Sequence, residues 1–219
     1  MDRSKVDEIT SWCSEQKCRT TVEALQERGF TAVYCATAAE VSDYILAQAG
    51  DAKTIGFGGS LSVAELGVSK TLRDQGRDIL NHGYPDLSLE ERIDIMRRQQ
   101  VCDLFLTGTN AVTTDGCLVN IDGIGNRVSA MTFGPKKVIV VAGRNKVVEG
   151  GVEEAIHRIK CWSSPPNAYR LGKKTPCATT GFCADCDSPE RICRATVILE
   201  RKPSLTDLHV VVVNQDLGL

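Results

Sequence analysis

Thr31-Ala-Val-Tyr-Cys-Ala-Thr-Ala-Ala-Glu-Val-Ser-Asp-Tyr-Ile-Leu-Ala-Gln-Ala-Gly-Asp-Ala-Lys-Thr-Ile-Gly-Phe-Gly-Gly-Ser60 holds a complete strand–helix–strand unit. Its first five residues are a short β-branched and aromatic run, the pattern of a strand. Thr37-Ala-Ala-Glu40 follows as a capping box, in which the Thr hydroxyl and the Glu carboxylate take up free amide donors. The helix it opens places Ala38, Val41 and Ile45 on one face and ends near Gly50. Lys53–Phe57 reads as a second strand and runs into Gly56-Phe57-Gly58-Gly59-Ser60. A helix then follows through Val63, Ala64 and Leu66.

The same alternation extends in both directions. Residues 4–28 are polar with sparse apolar positions and read as one long helix or two short ones, closed by Arg28-Gly29. Ser88-Leu-Glu-Glu91 is another capping box, and Leu89, Ile93 and Met96 make 88–100 an amphipathic helix. Asp103–Thr107 is a buried strand. Thr114-Asp115-Gly116 lies between two β-prone segments as a tight turn. Val138–Val141 has the unbroken apolar character of a strand covered on both faces. Val152, Ala155, Ile156 and Ile159 form a helical stripe. Residues 163–193 read as loop, and Thr196–Leu199 and His209–Val213 as two closing strands. Strands alternating with helices predict an α/β fold, a mainly parallel sheet flanked by helices. The expected organisation is a single domain over 1–219 with a cysteine-rich, metal-binding segment at 175–195 within it.

Composition narrows the class. The chain has 219 residues, 42% hydrophobic and 25% charged, which excludes disordered, collagenous and coiled-coil proteins. Its 26 basic and 28 acidic residues leave a net charge of −2, so there is no basic excess of the kind that nucleic acid or an anionic membrane selects. The polar start, Met1–Glu8, has no signal-peptide core, and no apolar run reaches the length of a membrane span. These features predict a cytoplasmic protein. In a reducing cytosol the ten cysteines are metal ligands or core residues rather than disulfide partners. Cys13, Cys18, Cys35, Cys102, Cys117 and Cys161 are scattered, and small buried hydrophobes are their default reading.

The remaining four are clustered as Cys177-x5-Cys183-x2-Cys186-x6-Cys193. The residues between them carry almost no apolar side chains, so packing cannot order the segment, whereas metal coordination can. Four thiolates complete either a [4Fe–4S] cluster or a Zn site. Zinc favours two close pairs, and only Cys183 and Cys186 form one, so the spacing favours iron–sulfur with zinc as the alternative. Arg191 and Arg194 flank the last ligand and read either as an offset to thiolate charge or as solvated surface charges.

A second constellation concerns small anions. Gly58, Gly59 and Ser60 lie between a strand and a helix, where bare amides can meet a phosphate or carboxylate; the turn is neither a Walker loop nor a dinucleotide fingerprint. Ser60 also reads as an N-cap. Glu65 reads as a catalytic carboxylate at the mouth or as the end of a Ser62-Val-Ala-Glu65 capping box. Ligands in open α/β sheets bind beyond the carboxyl ends of the strands, which places Asn110 there. Asn120, Asp122, Asn126 and Arg127 can converge on the same crevice, with Asp122 as acid or base and Arg127 as a bidentate anion fork. Turn formation is the competing reading for this Asp, Asn and Gly-rich stretch. Lys146 follows another strand and adds positive charge to the crevice, with a plain exposed lysine as the default reading. His82, His157 and His209 stand in unrelated contexts.

Gly56-Phe-Gly-Gly-Ser60, Thr107-Gly-Thr-Asn-Ala-Val-Thr-Thr-Asp-Gly116, Asn120-Ile-Asp-Gly-Ile-Gly-Asn-Arg127 and Val138-Ile-Val-Val-Ala-Gly143 with Asn145-Lys146 resemble the LUD-domain (lactate utilisation) family. More closely, Pro176-Cys177 through Cys193 resembles the stand-alone type with a C-terminal four-cysteine segment. The resemblance implies the fold of the ribose-phosphate isomerase, glucosamine-phosphate isomerase and CoA-transferase superfamily. Isomerases of that superfamily carry an acidic residue near the place held here by Asn110. The resemblance also implies an iron–sulfur protein of organic-acid, lactate-like metabolism, binding a small anionic molecule and relaying electrons with redox protein partners. A non-redox enzyme acting on a sugar phosphate or CoA ester, with a structural metal, is the alternative. A zinc-knuckle binding module is a third, disfavoured by the net charge and by the 5% aromatic content. No nucleic-acid or membrane partner is expected, and homodimerisation is left open.

Overall fold

Val138, Val140 and Ala142 point to one side of their strand, Ile139 and Val141 to the other, and all five are buried. A strand greasy on both faces needs cover on both, and this places it at the centre of a layered fold. In the computed structural model, which describes residues 2–219, helix α1 (Arg3–Glu27) leads into β1 (Thr31–Cys35), α2 (Ala38–Ala49), β2 (Thr54–Phe57), α3 (Leu61–Glu65), α4 (Val68–Asp74), β3 (Asp78–Asn81), α5 (Leu89–Gln99) and β4 (Leu104–Gly108). There follow β5 (Ala111–Thr113), β6 (Leu118–Asp122), α6 (Asn126–Thr132), β7 (Lys137–Gly143), β8 (Val147–Val148), α7 (Val152–Arg158), α8 (Ser164–Arg170), α9 (Pro176–Thr180), β9 (Ala195–Leu199) and β10 (Asp207–Val213).

The main sheet has the order β1-β10-β7-β4-β2-β3, with every pair parallel. Val41 and Ile45 of α2, Val63 of α3 and Leu72 of α4 cover one face. Cys18, Val22 and Leu25 of α1 and Met131 of α6 cover the other, together with Val112, Leu118 and Leu199 of a second sheet. That sheet has the order β8-β5-β6-β9, and β6 is antiparallel to both of its neighbours. Ala155 of α7 and Ile159 just beyond it pack on its far side against Ala111, Cys117 and Val119. The turn at Thr114-Asp115-Gly116 joins β5 to β6. Gly116 has φ +90°, and a Cβ there would meet the Ala24 carbonyl carbon at 2.7 Å, so glycine is required for α1 to dock.

Local signals account for many of the element ends. Thr37 Oγ1 accepts from Glu40 N while Glu40 accepts from Ala36 N. Ser88 and Glu91 form the reciprocal box that starts α5. Residues 3–27 are one helix rather than two.

Several expectations are corrected. The expected helix through Leu66 is α3, and a further helix, α4, which has no counterpart among the expected elements, starts after Gly67, φ +67°. Strand β3 and helix α6 carry no clear local signal, because α6 starts in the polar Asn126-Arg127 stretch that reads as turn. The supposed loop 163–193 contains α8 and α9. Residues 159–163 form a wide π-type turn that carries α7 into α8, and prolines occupy the first turns of α8 and α9, where no amide donor is needed. Of the six scattered cysteines, Cys13 and Cys161 are exposed and the other four are buried. Among the described residues no helix is long and apolar enough to cross a membrane.

Candidate functional site

A cleft of about 730 Å³ opens beyond the carboxyl ends of β2 and β4. Its floor is the 58–60 turn, Gly108–Asn110 and the β6–α6 loop. Its far wall comes from α8 and from residues 189–194 of the cysteine segment. Gly58, Gly59, Ser60, Asn110, Asp122, Asn126, Arg127, Lys146 and Cys193 all border it, so residues from five separate stretches meet there.

The glycine turn is shaped by close approach. A Cβ on Gly58 would lie 2.8 Å from Thr107 Oγ1, and Gly59 has φ +71°. The Gly58 amide is spent on the Leu106 carbonyl at 3.0 Å. The Gly59 and Ser60 amides have no acceptor among the described residues. Ser60 caps α3 through Val63 N at 3.4 Å. Helix α3 is only five residues long, too short to offer a helix-dipole anion site of its own. Ser62 and Glu65 do not form a capping box. Ser62 lies inside α3 and donates to the Leu217 carbonyl at 3.0 Å. Glu65 accepts the Gly218 amide on both oxygens, at 3.2 and 3.1 Å, and is not part of the cleft wall.

Arg127 is occupied within the protein. Nη1 donates to Asn120 Oδ1 at 2.7 Å and to the Gly108 carbonyl at 3.2 Å. Nη2 donates to Asn110 Oδ1 at 2.8 Å and to the Ile121 carbonyl at 3.3 Å, and Nε lies 3.5 Å from Asp122 Oδ2. The fork expected for a ligand instead fastens β4, β6 and α6 together. Asn120 is fully buried behind it and also accepts from Thr109 Oγ1 and Asn110 N. Asp122 takes the Gly123 and Val128 amides and so steadies the start of α6. Arg92 and Arg158 are likewise engaged: Arg92 binds the carbonyls of His82, Tyr84, Pro85 and Leu87, and Arg158 those of Asn145 and Asn110.

Burial shifts the protonation of two further residues, Lys146 and His82. Lys146 sits on the short turn Arg144–Lys146 after β7, is 5% exposed, and donates to Ser62 Oγ at 2.5 Å. Burial, with Arg158 and Arg127 nearby, lowers its pKa to about 7. His82 is a site residue that sequence reasoning missed. It borders the cleft beside Gly59, and burial lowers its pKa. Gln99 Nε2 is fixed by the Phe57 and Leu80 carbonyls and points its amide at His82 Nδ1, 3.1 Å away. No local pattern marks His82, since it follows a strand that the sequence does not announce.

The cysteine segment docks by its end. The Arg194 amide donates to the Asp122 carbonyl at 3.0 Å, and Cys193 Sγ to Ser164 Oγ at 3.3 Å. Cys177, Cys183, Cys186 and Cys193 are free and half-buried. Burial pushes the Cys193 thiol up, with Cys183 and Cys177 adding to the rise, while Cys193 and Cys186 both act on Arg191. As a donor set, four thiols match the chemistry of a thiolate-held centre. Among the described residues no three His, Cys, Asp or Glu side chains stand close enough together to hold a metal as they lie.

The LUD-domain family model matches residues 18–213. The chain belongs to the LUD-domain family. The LUD match spans both sheets, the cleft and the four cysteines. The LUD domain is also similar to the crystal structure of a DUF162 family protein from Deinococcus radiodurans. The TM-score is 0.55 at 17% identity, with 91% of this chain and 98% of that one covered. That likeness shows the fold. No curated protein matches the chain.

Proposed function

We propose that this LUD-domain protein is an iron–sulfur protein of organic-acid, lactate-like metabolism that binds a small carboxylate in the cleft and exchanges electrons with a redox protein partner. The observation that carries the reading is the position of Cys193. The last thiol of the four-cysteine segment lines a cleft in which basic side chains outnumber acidic ones. Cys177, Cys183, Cys186 and Cys193 would hold the cluster, which supplies one-electron chemistry when bound. The ligand's carboxylate is met by the Gly59 and Ser60 amides and by Arg170 and Lys173, whose charges make no ion pair among the described residues. Ile121, Ile124 and Leu171 supply an apolar side to the same space.

Anaerobic purification tests the reading. The expected protein is brown, contains iron and inorganic sulfide, and loses its visible absorption on addition of dithionite. Calorimetry is expected to detect lactate or pyruvate binding. A colourless protein with stoichiometric zinc would overturn the redox reading in favour of a non-redox sugar-phosphate or CoA-ester enzyme.

A further inference from the structure

Lys146 is the buried amine of the cleft, and its hydrogen-bond partner is a hydroxyl rather than a carboxylate. The turn that carries it is pinned on both sides: Asn145 accepts the Leu217 amide and donates to the Gly218 carbonyl, and Arg158 binds the Asn145 carbonyl. Glu65, the carboxylate that acts on Lys146, is engaged with the Gly218 amide, and the hydrogen-bond partner of Nζ is the neutral Ser62 hydroxyl. Gly108 keeps this corner open. A Cβ there would fall 2.6 Å from Ser60 Oγ and 3.6 Å from Lys146 Nζ, so both groups border one small space. Two guanidinium groups, Arg158 and Arg127, act on the same amine and oppose its protonation. Desolvation beside other cations is a recognised way of making a lysine nucleophilic near neutral pH.

We propose that Lys146 is a nucleophile that condenses with the carbonyl carbon of a small 2-oxo acid to form an imine. The substrate class rests on the carboxylate-binding reading above, and the covalent step goes beyond it. The Nζ lone pair adds to the carbonyl carbon, and the carbonyl oxygen is protonated to give a carbinolamine. That oxygen then leaves as water, taking with it in total the two hydrogens of the amine, and a C=N bond remains. Nothing is oxidised or reduced. Ser60 Oγ is placed to pass the proton, and the acid's carboxylate lies against the glycine turn.

Trapping with cyanoborohydride tests this on the full chain. The protein is incubated with pyruvate or glyoxylate and the reductant near neutral pH, then digested and mapped by mass spectrometry. One reduced adduct is expected on Lys146, at least tenfold above any surface lysine, and none at that position in Lys146→Arg. Absence of an adduct on wild-type Lys146, or labelling spread evenly over the lysines, would overturn the proposal whether or not the variant folds. The two readings fail separately. Calorimetric binding of pyruvate without trapping removes the imine and leaves the carboxylate site. Trapping on a protein that holds no iron keeps the imine and removes the redox assignment.

Discussion

At the residue scale, the cleft separates basic groups that hold the protein together from those left for a ligand. Arg127, Arg92 and Arg158 are structural: their donors end on backbone carbonyls and buried amide oxygens, and a ligand would have to displace internal bonds to use them. Lys146 is different, and its burial has a thermodynamic consequence. Between about 7, its folded value, and the ordinary lysine value of 10.5, the unfolded chain binds a proton that the folded chain lacks. Stability contributed through this residue therefore rises with pH across that window and is flat below it. Urea midpoints for wild type and Lys146→Met, measured from neutral to alkaline pH, are expected to show the difference moving in favour of wild type as pH rises. A pH-independent difference would show that the amine is charged in the folded state.

At the element scale, α5 shows how a local signal positions part of the site. The Ser88–Glu91 box starts the helix, and four residues into it Arg92 reaches back to the carbonyls of 82–87. His82 is thereby held at the cleft edge, with Gln99 at the other end of the same helix 3.1 Å from its Nδ1. Ser88→Ala is expected to cost about 1 kcal/mol in urea denaturation, because the Glu91 amide loses its Ser88 Oγ acceptor while the backbone amide of residue 88 still donates to the Glu91 carboxylate. An unchanged midpoint would mean that the Arg92 contacts alone order the entry to α5. The short helix α3 illustrates the opposite case. Its Ser and Glu fit a capping motif by spacing, yet both side chains are taken by the 217–218 backbone.

At the scale of the whole molecule, the main sheet and the cysteine segment are held by different means. Strands β7 and β10 are buried on both faces. Residues 175–195 are mostly half-buried or exposed; α9 lies against α8, and polar links tie the segment down, among them Arg194 to Asp122, Lys160 to Asp185 at 3.0 Å, and Cys193 to Ser164. With so little apolar burial, a bound metal centre would supply the ordering free energy. Cys186→Ala is expected to raise amide hydrogen exchange across 175–195 by at least tenfold while leaving β7 and β10 protected. Global unfolding would show instead that the segment is integral to the core.

The amino-acid sequence by itself determined the layer structure and the place of the crevice. Strand alternation, capping boxes and turn glycines act over about four residues or fewer, so 31–60, 88–107 and 137–143 are legible as they stand. The family follows from the same stretches, because the glycine turn and the Thr107–Arg127 segment are contiguous motifs. What only the tertiary structure decided is which polar groups remain available. Glu65 is claimed by Gly218, 153 residues away, Arg158 by Asn110 at a separation of 48, and Lys146 by Ser62 at 84. His82 enters the site because β3, an unannounced edge strand, sets it beside β2. Hydrogen-bond donors are finite, and their partners are chosen by three-dimensional proximity, so no local pattern can show whether an arginine is spent or a lysine is left uncharged.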